Sequence, residues 1–335
     1  MFNIKKEMRF RKFNYYVKMH LHQKIYPYAH KNMYKTSCYR LMDNSELASR
    51  VLKRVNYYNR LKNTFCLTSS WETPELNESC FLVNQNSIFK TKSASCYQHD
   101  MAYYMSHFPK SYHLHLLPGD ITHIPSQVSV LKSRPIMDSR TSENAVIMKL
   151  NAIRHFKFIR DNLSFSDKRK GMVWRGNASQ KHRKDFLQRF YHHPLMNVGQ
   201  VKKLSHFGYK DKLSLSDQLK YQFILCIEGN DVATNLKWAM SSNSLCVMTK
   251  PNYETWFMEG LLQPGVHYIE VKDDYSNLEE KIDYYSSHSK EAQEIIEQSS
   301  RYCLQFLNRR EEDLIAFLVL EKFFHYSGQL NSSFF

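Results

Sequence analysis

Residues 171–183, Gly-Met-Val-Trp-Arg-Gly-Asn-Ala-Ser-Gln-Lys-His-Arg, place Arg175 and Arg183 on either side of a break in a short apolar run. Each guanidinium offers a planar fork to phosphate oxygens. Met172, Val173 and Trp174 suit a buried strand, and Gly176 lets the backbone come close to a ligand. The pattern reads as an anion site on a strand-to-helix loop, for a ligand that carries a diphosphate. Arginines beside a glycine are also commonly solvated or salt-bridged. Other walls must therefore come from elsewhere in the chain.

One such wall is the loop Glu228-Gly229-Asn230-Asp231, between an apolar strand expected over 223–227 and a helix over 233–241. Leu245–Met248 reads as the next buried strand. This order is that of a doubly wound sheet, in which ligands sit beyond the carboxyl ends of strands and against helix N-termini. Lys237, on the expected helix, is either a further cation for the ligand or a surface residue. A candidate proton acceptor is Asp120, which follows a strand expected over 112–117 and the turn Pro118-Gly119. Aspartate also caps such turns without doing chemistry. His115, His123 and His155 are alternative bases, whereas His267 is expected to pack within a strand over 267–271.

These residues need a scaffold, and the chain is long enough to build one twice. At 335 residues it exceeds the size at which one core stops growing. Two Rossmann-like lobes with a cleft between them are expected, an N-terminal lobe over 37–160 and a C-terminal one over 161–305. Residues 161–170 read as their connection, residues 145–159 as an amphipathic stretch, and Ser276-Asn277-Leu278-Glu279 as a capping box. Helices follow over 281–285 and 290–307, and a C-terminal helix and tail, 306–335, is expected to pack back across the lobes.

A formal net charge of +15 asks for an anionic partner: nucleic acid, a membrane surface or an acidic substrate. Within residues 1–36 there are nine Lys or Arg against Glu7 alone, interleaved with Phe and Tyr. Such a segment is either an interfacial arm on anionic lipid or a solvated basic flank. Seven cysteines without a C-x-x-C signal neither a disulfide framework nor zinc. With no signal-peptide pattern and no apolar stretch of bilayer length, the expected location is the cytoplasm.

Trp174-Arg175-Gly176 with Arg183, Glu228-Gly229 through Asn235-Leu236-Lys237 to Ser244-Leu245-Cys246-Val247, and Gly265-Val266-His267-Tyr268-Ile269 occur here in one order and spacing. In these residues the chain resembles glycosyltransferase family 90, the CAP10-like family of protein O-glucosyltransferases and bacterial lipopolysaccharide glycosyltransferases. The bacterial branch is the nearer match. The resemblance implies an α/β, GT-B-like fold, an inverting mechanism and a UDP-sugar donor. It also implies no required metal, and the sequence has no Asp-x-Asp to hold one on a diphosphate. Carried over by position, Asp120 is the catalytic base. Asn177, Arg183 and the loop Asn230, Asp231, Val232, Ala233, Thr234 and Asn235 fall on the family's donor-contacting places, and Arg175 and Lys237 are added on chemistry as further cations for the diphosphate. Many eukaryotic members have arginine where this chain has Asn235, so either Lys237 substitutes for that charge or the diphosphate is held less tightly here. The expected reaction moves glucose or galactose from UDP to a sugar hydroxyl of the lipopolysaccharide inner core. A capsule or protein acceptor, or a basic nucleic-acid-binding protein without catalysis, is the alternative; no nucleic-acid-binding motif supports the last.

Overall fold

The computed structural model describes residues 13–15, 17, 44–73, 78–90, 95–137, 142–203 and 207–335. The basic arm falls almost entirely outside them. The chain divides into two compact units. One takes the residues up to Ile153 together with 253–256 and 308–335, and the other takes 154–252 and 257–307. The boundary thus lies before the expected 160/161, because 161–170 is not a linker. Phe165 is buried in the core of the second unit, and the Lys168 ammonium sits 2.6 Å from Asp161 with both side chains enclosed.

The first unit holds a mixed sheet in the order β1-β2-β3-β4-β6, from β1 (Trp71–Thr73), β2 (Glu78–Val83), β3 (Leu114–Leu117), β4 (Ser129–Leu131) and β6 (Ala145–Ile147). β1, β2 and β3 run antiparallel, whereas β3, β4 and β6 are parallel. The amphipathic reading of 145–159 is corrected here. Ala145, Val146 and Ile147 are a wholly buried strand, and Asn151, in the left-handed region at φ 54°, turns the chain before the short helical turn Ala152–His155. A continuous apolar run suits a strand of a parallel ladder better than one face of a helix.

Helix α1 (Ser45–Tyr58) is capped by the Asn44 side chain, which accepts from the Leu47 N–H. It packs with the C-terminal helix Arg309–Tyr326, and Asn59 donates to the Val319 carbonyl at 3.0 Å. That helix belongs to the first unit, and its buried Glu312 meets Arg54 at 2.6 Å and Lys149 at 2.9 Å. A return strand, Tyr253–Thr255, pairs antiparallel with β5 (Ser133–Pro135), so that the buried Arg134 guanidinium reaches Glu254 at 2.8 Å. Among the described residues no helix is long and apolar enough to cross a membrane.

The second unit is a five-stranded parallel sheet. Its strands are β7 (Arg169–Gly176), β8 (Met196–Gln200), β9 (Tyr221–Leu225), β10 (Leu245–Met248) and β11 (Ile269–Glu270), in the order β11-β10-β9-β7-β8. Helix α2 (Lys181–Phe190) covers one face through Phe186, Leu187 and Phe190, which join Met172, Trp174, Met196, Val198 and Phe223 in one core. α3 (Leu236–Met240) is shorter than the expected 233–241, and its five residues supply little dipole to a ligand. The capping box is not made: Asn277 Oδ1 instead accepts from the Lys272 N–H at 2.9 Å, ahead of α4 (Leu278–Ser287) and α5 (Ser289–Leu304).

Candidate active site

In a parallel sheet the loops that follow the strands leave at one edge, so those after β7 and β9 are neighbours at their carboxyl ends. Arg183, in the first turn of α2, holds them together. Its Nη1 donates to the Asn177 carbonyl at 2.8 Å, Nη2 to Ile227 at 2.7 Å and Nε to Glu228 at 2.8 Å. The guanidinium carbon also stands 5.6 Å over the Trp174 ring. Burial lowers this guanidinium to about 10, which leaves it charged at neutral pH. A charged donor on a carbonyl contributes about 1.5–3 kcal/mol, so this residue fixes both loops at once.

The frame has further members, among which Gln180 and Asn252 were not singled out in the sequence. Gln180 donates to the Asn230 side chain at 2.8 Å, and Asn235 donates to the Leu225 carbonyl at 2.9 Å. The Glu228 carboxylate accepts from the backbone and side-chain nitrogens of Asn252, tying in the loop after β10. Val232 and Ala233 are buried, Thr234 and Asn235 half-buried, and Asn230 exposed. Cys226, Val232, Ala233, Leu236, Met248 and Pro251 form an apolar recess beside this loop, with Glu228 and Glu259 on its wall. Asn177, Arg183 and the loop 228–235 are therefore brought together at one edge of the sheet.

Arg175 and Lys237 are not. Side chains alternate along a strand, so Arg175 points away from the Trp174 face on which Arg183 lies. Its nitrogens donate to the carbonyls of Asp211 and Asn197 and to the Asn197 side chain, at 2.9, 2.7 and 2.8 Å. Lys237 is fully buried, because α3 is enclosed on nearly every side. Its ammonium pairs with Glu259 and lies 5.1 Å from the Phe257 ring centre. It is not a surface residue, and its charge is engaged by Glu259.

Asp120 lies in the first unit. β3 and β4 are parallel, with Leu117 opposite Leu131, so the chain beyond each leaves at the same sheet edge. That register sets Asp120 beside Lys132, and the two form an ion pair in which the lysine is 2% exposed and the aspartate 29%. Gly119, at φ 122°, supplies a turn that a side chain would strain. Of the alternative bases, His115 is buried with its ring nitrogens 3.2 and 3.0 Å from the Val128 and Thr68 carbonyls, and His155 is buried too. His267 is half-buried and accepts from the Gln263 N–H at 3.0 Å. Lys132 escaped the sequence reading, although a lysine directly after a strand parallel to β3 was the available signal.

The model of Glycosyl transferase family 90 matches residues 146–324. The O-glucosyltransferase LpsA of Dichelobacter nodosus is 40% identical over 282 residues, covering 84% of each chain. This chain belongs to glycosyltransferase family 90. Other members match over shorter stretches. Protein O-glucosyltransferase 2 of Danio rerio is 28% identical over 36% of this chain and 26% of its own, and protein O-glucosyltransferase 1 of Bos taurus 31% over 28% and 24%. Trp174, Arg183 and the loop 228–235 all fall inside the region matched to the family, whereas Asp120 lies before it.

Proposed function

We propose that this family 90 member is an inverting, metal-independent hexosyltransferase that moves a sugar from UDP to a hydroxyl of the lipopolysaccharide inner core. Glucose is the favoured hexose, because the relatives are named as O-glucosyltransferases; galactose is the competing donor. What carries the reading is the Arg183 frame, which fixes the loops after β7 and β9 in a chain 40% identical to LpsA. In this reading Asn177, Asn230 and Asn235 offer amide groups to the nucleotide sugar, and Arg183 is chiefly a positioning residue that holds their loops. The absence of Asp-x-Asp from the sequence supports donor binding without a divalent ion.

Asp120 is the base. The acceptor O–H gives its proton to the carboxylate as its oxygen forms a bond to the anomeric carbon. The bond from that carbon to the diphosphate breaks on the opposite face, and UDP leaves with the electron pair. Lys132 keeps the carboxylate in place. The basic arm, residues 1–36, is assigned to an anionic membrane surface on the cytoplasmic side, where each cation contributes about 1 kcal/mol.

The test is transfer from UDP-glucose and UDP-galactose to truncated lipopolysaccharide, capsule saccharide and peptide acceptors, with and without EDTA. The product's anomeric configuration is read by proton NMR. Inverted product on the core acceptor, undiminished by EDTA, is expected. Retention of configuration, a requirement for a divalent ion, or turnover only on another acceptor would each overturn the corresponding part.

A further inference from the structure

The second unit has a basic cavity of about 370 Å³ that the transfer reaction leaves unused. It is lined by Lys170, Tyr191–Asn197, Lys210 and Tyr221, so it wraps the start of the edge strand β8, whereas the donor frame lies beyond the strands' carboxyl ends. Its lining contains two lysines and two histidines and no carboxylate. Among the described residues neither lysine ammonium has an acidic partner. At the rim the Glu279 carboxylate is 3.8 Å from His193, and Asp211, next to Lys210 in the chain, accepts from the Tyr209 hydroxyl at 2.9 Å.

The cavity is built rather than incidental. Arg175 fixes Asn197 through both its carbonyl and its side chain, and Asn197 in turn donates to the Tyr221 hydroxyl at 2.7 Å. That leaves the hydroxyl's own proton to donate. Gly199 has no Cβ, and one would come within 2.7 Å of the Lys210 side chain. The lysine stem therefore lies flat over the strand, which carries its ammonium to 4.8 Å from the Tyr191 ring centre. Burial and the neighbouring Arg175 both lower the Lys210 ammonium from its ordinary value, which marks a group crowded by positive charge. Pro194 and the exposed side chain of Leu195 add an apolar wall.

We infer that this cavity is a second binding site, for a phosphorylated sugar. Lys170 and Lys210 take the phosphate, Tyr221 donates to it or to a ring hydroxyl, and the Pro194–Leu195 wall meets the sugar's C–H face. A bare anion would use the cations but not that wall. Arg175, set apart from the donor frame, thus has its place as the support of this site. The inference does not depend on the donor assignment.

The probes are glucose 6-phosphate, glucose and inorganic phosphate, titrated calorimetrically into the full chain with and without UDP. Glucose 6-phosphate should bind more tightly than either other probe, and UDP should not displace it. The double variant Lys170→Gln/Lys210→Gln should weaken it about tenfold or more, as expected for losing charged hydrogen bonds, with the unfolding midpoint and UDP binding unchanged. No binding of glucose 6-phosphate, equal binding of inorganic phosphate, displacement by UDP, or unaltered binding in the double variant would each overturn the inference. Failure of the chain to bind UDP at all would strike only the donor reading.

Discussion

Two acid–lysine pairs in this chain have the same chemistry and opposite settings. In the second unit Lys237 and Glu259 are 0% and 1% exposed, and the ammonium lies 5.1 Å from the Phe257 ring centre. In the first unit Lys132 is 2% exposed but its partner Asp120 is 29% exposed. A carboxylate 1% exposed and matched by a buried ammonium offers a substrate almost no surface, whereas one that is anchored from behind and open in front can meet one. Exposure of the acid, rather than the presence of the pair, separates a structural device from a group able to take a proton.

The sharpest way to break that contrast is Asp120→Asn. It keeps the shape and removes the proton acceptor, so transfer should fall by about 10²–10⁴, the usual yield of general-base catalysis. UDP binding, measured by calorimetry, should stay as it was. Near-normal turnover would remove Asp120 from the chemistry and leave the open pair without a function.

Stability is the readout for the sealed pair. Lys237→Met strands a buried carboxylate and should cost about 3–5 kcal/mol, while Lys237→Met/Glu259→Met should recover much of it. Lys132→Met should cost less than Lys237→Met, because water still reaches the Asp120 left behind. Urea unfolding of the variants side by side decides the matter; equal costs at the two lysines would erase the distinction drawn from exposure.

Arg183→Ala separates loop geometry from the base. Three carbonyls lose their donor, the loops after β7 and β9 are no longer tied, and UDP binding should weaken about 10- to 100-fold, or roughly 1.4–2.8 kcal/mol. Arg183→Lys should not restore it, since one ammonium lacks the fork that reaches Asn177, Ile227 and Glu228 together. Unchanged UDP affinity in both variants would show that the donor binds elsewhere.

Local signals made much of this legible. The strand Leu245–Met248 ends where its apolar run ends, and the segment 171–183 sets Arg183 and Asn177 near one turn. What failed was what depends on distant partners. Arg175 looked equivalent to Arg183 until Asn197, on the neighbouring strand, claimed its guanidinium. Lys237 reads as a ligand cation or a surface residue because nothing near it in the chain announces Glu259 or Phe257. Residues 145–147 were misread because three apolar residues carry too little period to tell strand from helix, and Asn151 gives a positive φ no simple signature.

A third carboxylate extends the comparison to an acid held mainly by neutral donors. Asp100, on the helix Ser95–Met105, is buried, accepts from the Tyr15 hydroxyl and takes the Ala152 N–H at 2.9 Å. Burial raises its carboxyl to about 7, against which these hydrogen bonds and the more distant Lys149 charge work only in part. The folded state therefore holds this proton after the unfolded chain has released it. Its contribution to stability is full below the ordinary aspartate range, falls as pH rises towards about 7, and is level above that. Asp100→Asn does not titrate, so its urea midpoint should change less between pH 5 and pH 8 than that of the unaltered chain, with the variant relatively more stable at pH 8. An identical pH dependence in both would mean that Asp100 is ionised throughout that range, with its hydrogen bonds outweighing the cost of burial.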